Sequence, residues 1–202
     1  MAFLKTIPAN EATDATLELY QRQQGPYGYV PNYAKVWCYR PEIMQAWANL
    51  QKSIKQRADY KLYELATFAA ARGMGNSACS LAHAKVLRDN FFSTDDIIDI
   101  ATTGGQQTLS AKEQAIVKFA KLVVGNANEI GADDVEALRT AGLSEAEIFD
   151  VVITAAARCF FAKINDALGV LVDAPATHWE KPLVDLFTRV GRPISTEAVE
   201  TV

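Results

Sequence analysis

Apolar residues recur along this chain at helical spacing, and nowhere do they alternate strictly with polar ones as a half-buried strand requires. After Pro41, the residues Ile43, Met44, Trp47, Leu50 and Ile54 fall on one face of a helix that opens on proline, whose fixed φ suits a first turn. Asp59 can cap a helix running to about Arg72, where Gly73-Met74-Gly75 breaks it, and Asn76 can cap the next as far as about Asn90. Ser93 with Asp96, Ser110 with Glu113 and Ser144 with Glu147 read as capping boxes. The helix opened by Ser144 continues through Ile148, Val151, Val152, Ala155, Cys159 and Ile164 to Leu168. Ahead of these, residues 10–24 read as a polar helix stopped by Gly25-Pro26. Tyr27, Tyr29, Tyr33, Trp37 and Tyr39 then occupy an irregular segment leading into a short helix. Pro175 and Pro182 bracket a C-terminal helix, and Gly191-Arg192-Pro193 starts a tail. The predicted fold class is all-α.

An echo at an offset of 51 residues organises the middle of the chain, for Asp59 aligns with Ser110. Phe68-Ala69 then meets Phe119-Ala120, Leu87-Arg88 meets Leu138-Arg139, and Ser93 meets Ser144. Asp96, Ile97, Asp99 and Ile100 meet Glu147, Ile148, Asp150 and Val151. This predicts a duplicated helical unit, each copy covering the other's apolar face. The expected division of the single domain is 1–58 for the N-terminal helices and aromatic segment, 59–109 and 110–169 for the two units, and 170–202 for the C-terminal helix and tail.

The composition narrows the classes of function. The 202 residues carry 20 Lys and Arg against 24 Asp and Glu, a formal charge of -4, with no basic cluster of the kind that grips nucleic acid or an anionic membrane. Apolar runs such as 151–157 are far shorter than the roughly 20 residues that span a bilayer. The first residues show no basic stretch followed by an apolar core, so no secretory leader is expected. Three cysteines, Cys38, Cys79 and Cys159, suit a reducing compartment, and a cytoplasmic location is expected. Two histidines and scattered cysteines offer no zinc-ligand pair, and no glycine-rich phosphate loop occurs, so neither metal nor cofactor is expected.

The echo also acts as an internal control. Glu64, Asn76, Cys79 and His83 of the first unit align with Ala115, Ala127, Ile130 and Asp134 of the second, so carboxylate, thiol and imidazole have no like counterpart. Cys79 and His83, four apart, lie a turn apart on one helix face. With Asn76 as cap, Cys79 is the third helical residue, where free backbone N–H groups and the helix dipole favour a thiolate. Glu64, on the preceding helix, can meet His83 across a glycine turn, which makes a proton relay around a nucleophile. The plainer alternatives are a small core cysteine (Ile130 at the equivalent position argues for burial), a structural histidine, and a solvated Glu64 near Lys61. Arg72 and Arg158 lie in apolar surroundings and are expected to form ion pairs. The aromatic segment is either a pocket lid or subunit contact, or a loop covering the core.

The stretch Glu64-Leu65-Ala66 followed by Asn76-Ser77-Ala78-Cys79-Ser80-Leu81-Ala82-His83 resembles the signature of the alkylhydroperoxidase D-like, or carboxymuconolactone decarboxylase, family. That signature is a glutamate, a C-x-x-C pair, and a histidine four residues after the second cysteine. The resemblance extends to Gly28-Tyr29-Val30-Pro31-Asn32 and to residues 110–169, chiefly the peroxidase-related branch. It implies an all-helical fold, a homotrimer or homohexamer, and Cys79 as the nucleophile that attacks a small hydroperoxide, with Glu64 and His83 carrying protons. It also implies a lipoyl-type reductant. Asn76 stands where the family has its resolving cysteine, which leaves three courses: reduction by an external thiol, resolution by Cys38 or Cys159, or a pocket turned to other chemistry. The decarboxylase branch implies acid–base work by Glu64 and His83 on a small lactone or keto acid, and a redox-sensing oligomer is the non-catalytic alternative.

Overall fold

The computed structural model describes residues 2–202, which form ten α-helices and no extended strand. These are α1 (Asp14–Tyr27), α2 (Asn32–Val36), α3 (Pro41–Lys55), α4 (Tyr60–Gly73), α5 (Ser77–Asn90), α6 (Thr94–Thr102), α7 (Ala111–Val124), α8 (Ala132–Thr140), α9 (Glu145–Ala167) and α10 (Lys181–Thr188). The caps are where the side-chain chemistry asks for them. Asp59 accepts from the Leu62 N–H, and Ser93, Ser110 and Ser144 each close a two-way capping box.

Two terminal boundaries differ from the pattern. α1 runs through Gly25-Pro26 and ends at Gly28, whose left-handed backbone (φ 79°) lets its N–H reach the Gln24 carbonyl. A proline this close to a helix end removes one backbone bond, and Gly25 has no Cβ to clash with the pyrrolidine ring, so the turn survives. Likewise Pro182 lies in the first turn of α10 rather than beyond its end, and Pro175 belongs to a short 3-10 turn at Ala174–His178.

α4 is the centre of the molecule. Every residue from Tyr63 to Ala71 is buried, and the helix packs against α5, α7 and α9. Leu65, Phe68, Leu81, Leu87, Ile97, Ile116 and Leu138 fill this core, each contributing about 1.5–3 kcal/mol by leaving water. A second cluster joins α1, α2, the foot of α3 and the C-terminal half of α9 through Leu19, Tyr20, Trp37, Met44 and Phe161, and Cys79 is part of it. The 51-residue echo is a structural one, since Tyr60–Gly73 corresponds residue for residue to Ala111–Val124, and α6 and α9 start at Thr94 and Glu145. The copies diverge at α5. Its counterpart opens as a 3-10 turn, Ala127–Glu129, and becomes α-helical only at Ala132.

The C-terminal tail is tied down at both ends. Val30 pairs with Glu200, the Val172 N–H donates to the Pro193 carbonyl while the Val172 carbonyl accepts the Ser195 N–H, and the Glu200 carboxylate receives Lys35 Nζ and the Ala9 N–H. Gly191 presses on the start of α5, where a Cβ would meet the Gly75 carbonyl oxygen, Ser77 Oγ and, at 2.9 Å, the Ser77 nitrogen. No described helix is long and apolar enough to cross a membrane.

Candidate active site

The site is assembled from α4, α5, α9 and α3. Asn76 Oδ1 accepts the Cys79 N–H at 2.7 Å, which anchors the first turn of α5 and places the sulfur inside the molecule. Four residues on, His83 Nδ1 lies 2.7 Å from Glu64 Oε2 across the tight turn between α4 and α5. Glu64 is only 1% exposed, and its other oxygen takes Lys55 Nζ of α3 at 3.1 Å. It is therefore neither solvated nor paired with Lys61, which turns instead to Glu113.

Burial alone would raise the Glu64 pKa, but the His83 hydrogen bond and the Lys55 cation outweigh it and hold the carboxyl below its ordinary value. His83 is moved down as well, first by burial and then by the charge of Arg158, against the pull of Glu64. Near neutrality the pair is thus a carboxylate and a neutral imidazole. The short contact assigns the imidazole proton to Nδ1, which leaves Nε2 free to accept one.

Cys79 is 5% exposed, and its polar neighbour is not His83 but Arg158, whose Nη1 donates toward Sγ at 3.6 Å from α9. No hydrogen bond joins Cys79 to His83 among the described residues. The free N–H groups and dipole of the first turn lead one to expect a depressed thiol pKa. Burial pushes it up instead, Arg158 pulling the other way without reversing the sign.

Both arginine expectations fail in the same way. Arg158 and Arg72 are without a carboxylate partner among the described residues. Arg158 lies 5.7 Å from the Trp47 ring centre and 5.6 Å from that of Phe161, and Arg72 lies 4.9 Å from that of Phe187. The spacing of motif residues gave no sign of Arg158, which comes from 79 residues away; the usable signal was a cation on the apolar face of α9.

The aromatic segment covers this region. Trp37 Nε1 donates to Asn165 Oδ1 at 3.0 Å, Tyr33 meets Phe161 edge to face, and Phe161 stacks on Trp47 at 4.4 Å. Tyr27 and Tyr33 come within electrostatic reach of Cys79. All three cysteines are free thiols: Cys38 is buried in the same apolar cluster as Cys79, and Cys159 is half-buried in the other. The described residues contain no group of His, Cys, Asp and Glu able to hold a metal ion.

Residues 41–122, which include Glu64, Cys79 and His83, match the carboxymuconolactone decarboxylase family. No curated protein sequence matches at a significant level. Among solved structures, the chain is similar to an alkylhydroperoxidase AhpD core, a peroxidase-related protein from Ralstonia eutropha JMP134, with TM-score 0.74 and 17% identity over 95% of this chain and 98% of that one. A peroxidase-related protein from Silicibacter sp. TM1040 follows at TM-score 0.68 and 17% identity, covering 84% of this chain and 87% of the other. The debrominase Bmp8, in complex with 2,3,4-tribromopyrrole, superimposes at TM-score 0.73 and 13% identity over 93% and 100%. At such identities these likenesses establish the fold. Residues 41–122 carry the carboxymuconolactone decarboxylase family segment, and the chain around them has the alkylhydroperoxidase D-like fold.

Proposed function

We propose that the chain is a thiol-dependent hydroperoxide reductase working through one cysteine. The observation that carries this reading is the coincidence of two polar contacts at one place in the fold: Cys79 with Arg158, and His83 with an ionised Glu64. In the proposed cycle His83 Nε2 takes the thiol proton, directly or through one water, while Arg158 steadies the thiolate. The sulfur attacks the terminal oxygen of a hydroperoxide, the O–O bond breaks, and the alkoxide leaves with the proton from His83. Cys79 ends as the sulfenic acid and the substrate as the alcohol. One external thiol then forms a mixed disulfide with loss of water, and a second frees Cys79. A lipoyl-type dithiol would supply both, and a reducing cytoplasm is the setting in which such reductants abound. External reduction is favoured because Asn76, which stands at the resolving position, cannot form a disulfide and is committed to capping α5.

A homo-oligomer, trimeric or hexameric by family resemblance, is part of the proposal. Ile43 and Leu50 on α3, and Phe149 and Phe160 about three turns apart on α9, are exposed apolar side chains that a second copy would cover. Sedimentation at micromolar concentration tests it, a monomer counting against.

The deciding experiment is treatment with tert-butyl hydroperoxide and dimedone followed by peptide mass mapping. Trapped sulfenic acid at Cys79, lost in Cys79→Ser and slowed in His83→Ala, supports the reading. Inertness of Cys79 together with turnover of a small lactone acid would transfer the Glu64–His83 pair to acid–base catalysis. Oxidation without turnover by any thiol would make the chain a redox-sensing oligomer.

A further inference from the structure

Arg158 is 5% exposed, yet its guanidinium makes one hydrogen bond among the described residues, to a thiol, and its Nε–H is buried without an acceptor. A desolvated cation with no anion beside it is costly, and buried polar groups in folded proteins are normally satisfied. The indole of Trp47, 5.7 Å from the guanidinium carbon, repeats the pattern, since its Nε1–H is also buried and without an acceptor. Two unsatisfied donors, one of them on the cation that touches Cys79, are therefore neighbours, and Phe161 and Tyr33 wall the same region with aromatic surface.

We infer that Arg158 and Trp47 bind the anionic group of the substrate, a carboxylate on a small organic molecule with an apolar body, and hold it beside Cys79 Sγ. This rests on the thiol reading of the site and adds the charge class of what the thiol meets. A guanidinium presents paired N–H groups that match a carboxylate, and a dry site strengthens the contact. The apolar wall formed by Phe161 and Tyr33 suits the rest of such a molecule.

The test is alkylation of Cys79 by iodoacetate, an anion, and by iodoacetamide, its neutral analogue; in each the sulfur displaces iodide. Rates are read residue by residue by mass spectrometry, with Cys159 as the reference thiol in the same chain. The ratio of the two rates cancels any change in thiolate fraction, so it reports anion binding and not thiol acidity. In the wild type the ratio at Cys79 should exceed that at Cys159, iodoacetate should saturate, and propionate, but not propionamide, should slow labelling. Arg158→Gln should lower the ratio about tenfold, the loss expected for one charge-assisted hydrogen bond, while Arg158→Lys should retain part of it. Trp47→Phe, which keeps the ring and removes the N–H, should lower it by a smaller factor. A wild-type ratio at Cys79 no higher than at Cys159 overturns the inference without recourse to any variant. If neutral tert-butyl hydroperoxide still yields the sulfenic acid, only the anion site is lost. Anion preference in a thiol inert to hydroperoxides upholds the site and removes the peroxide chemistry.

Discussion

Replacing Glu64 by Gln isolates what the buried carboxylate does, because glutamine keeps the shape and an acceptor oxygen for His83 Nδ1–H while removing the charge. A hydrogen bond to a charged group contributes about 1.5–3 kcal/mol and a neutral one about 0.5–1.5, so the exchange costs about 1 kcal/mol at the His83 contact. The Lys55 contact adds less than about 1 kcal/mol, since the lysine side chain is 47% exposed and screened. Relief of carboxylate desolvation offsets part of this, and the net destabilisation at pH 7 should be about 1 kcal/mol. The pH dependence has a definite sign. Glu64 titrates below its ordinary value in the folded state, so its contribution is present above about pH 4.5 and is lost as pH falls through the folded pKa. The gap between wild type and variant should therefore close in acid. The variant should also lower the His83 pKa further, because burial and Arg158 remain and the upward pull of the carboxylate is gone. With two histidines in the chain, imidazole NMR titration follows His83 separately in wild type and variant. A His83 curve that moves to higher pH, or that does not move, refutes the assignment of an ionised Glu64 beside a neutral imidazole.

Other perturbations test the supports of the site. Asn76→Ala should cost about 1 kcal/mol in urea unfolding by leaving the Cys79 N–H without its acceptor, and should loosen the first turn of α5 in amide exchange. Gly191→Ala should cost about 1–3 kcal/mol, because the new methyl overlaps backbone at Gly75 and Ser77; stability equal to wild type would mean that the tail does not press on α5. Asp173, which accepts the Asn32 N–H, is pushed up to about 6 by burial. Its protonated form suits the fold, so its contribution is full below about pH 4 and is lost as pH rises through about 6. Asp173→Asn should then be the more stable protein at pH 7.5, by no more than about 3 kcal/mol, with the advantage vanishing near pH 4 in paired melts.

Local chemistry was legible in the residues and non-local chemistry was not. The four capping side chains Asp59, Ser93, Ser110 and Ser144, with Asn76, act on N–H groups three residues away, so their spacing is enough to place helix starts. The Glu64–His83 contact was legible for a related reason, since a short turn between two helices leaves few ways to pack them. Gly25-Pro26 misled because a stop signal depends on the residue before proline having a Cβ. The acidity of Cys79 misled because dipole and spacing can be read from a pattern whereas burial cannot; the aligned Ile130 was the hint. Arg158 stood out as a cation in apolar surroundings, but its meeting with Cys79 was not legible, being brought about by the packing of α9 on α4.

The broken symmetry of the repeat explains why one site is built and not two. In the second unit the place of Asn76 is taken by Ala127, which cannot cap. The chain there makes a 3-10 turn and delays its helix to Ala132, so the residue aligned with Cys79 falls before the helix begins. Glu64 and His83 are matched by Ala115 and Asp134, which cannot form the carboxylate–imidazole pair. The cation follows the same rule. α6 ends at Thr102, but its counterpart α9 continues well past the equivalent point, and Arg158 lies in that extension. Shifted back by 51 residues, its position is Gln107, in the turn that follows α6. The extension thus carries the guanidinium of the second copy to the thiol of the first. Two copies of the first unit would lack the cation at Cys79, and two copies of the second would lack the thiol, the cap and the pair; the chemistry depends on the departures from the repeat, and the stability of the core on the positions that keep it.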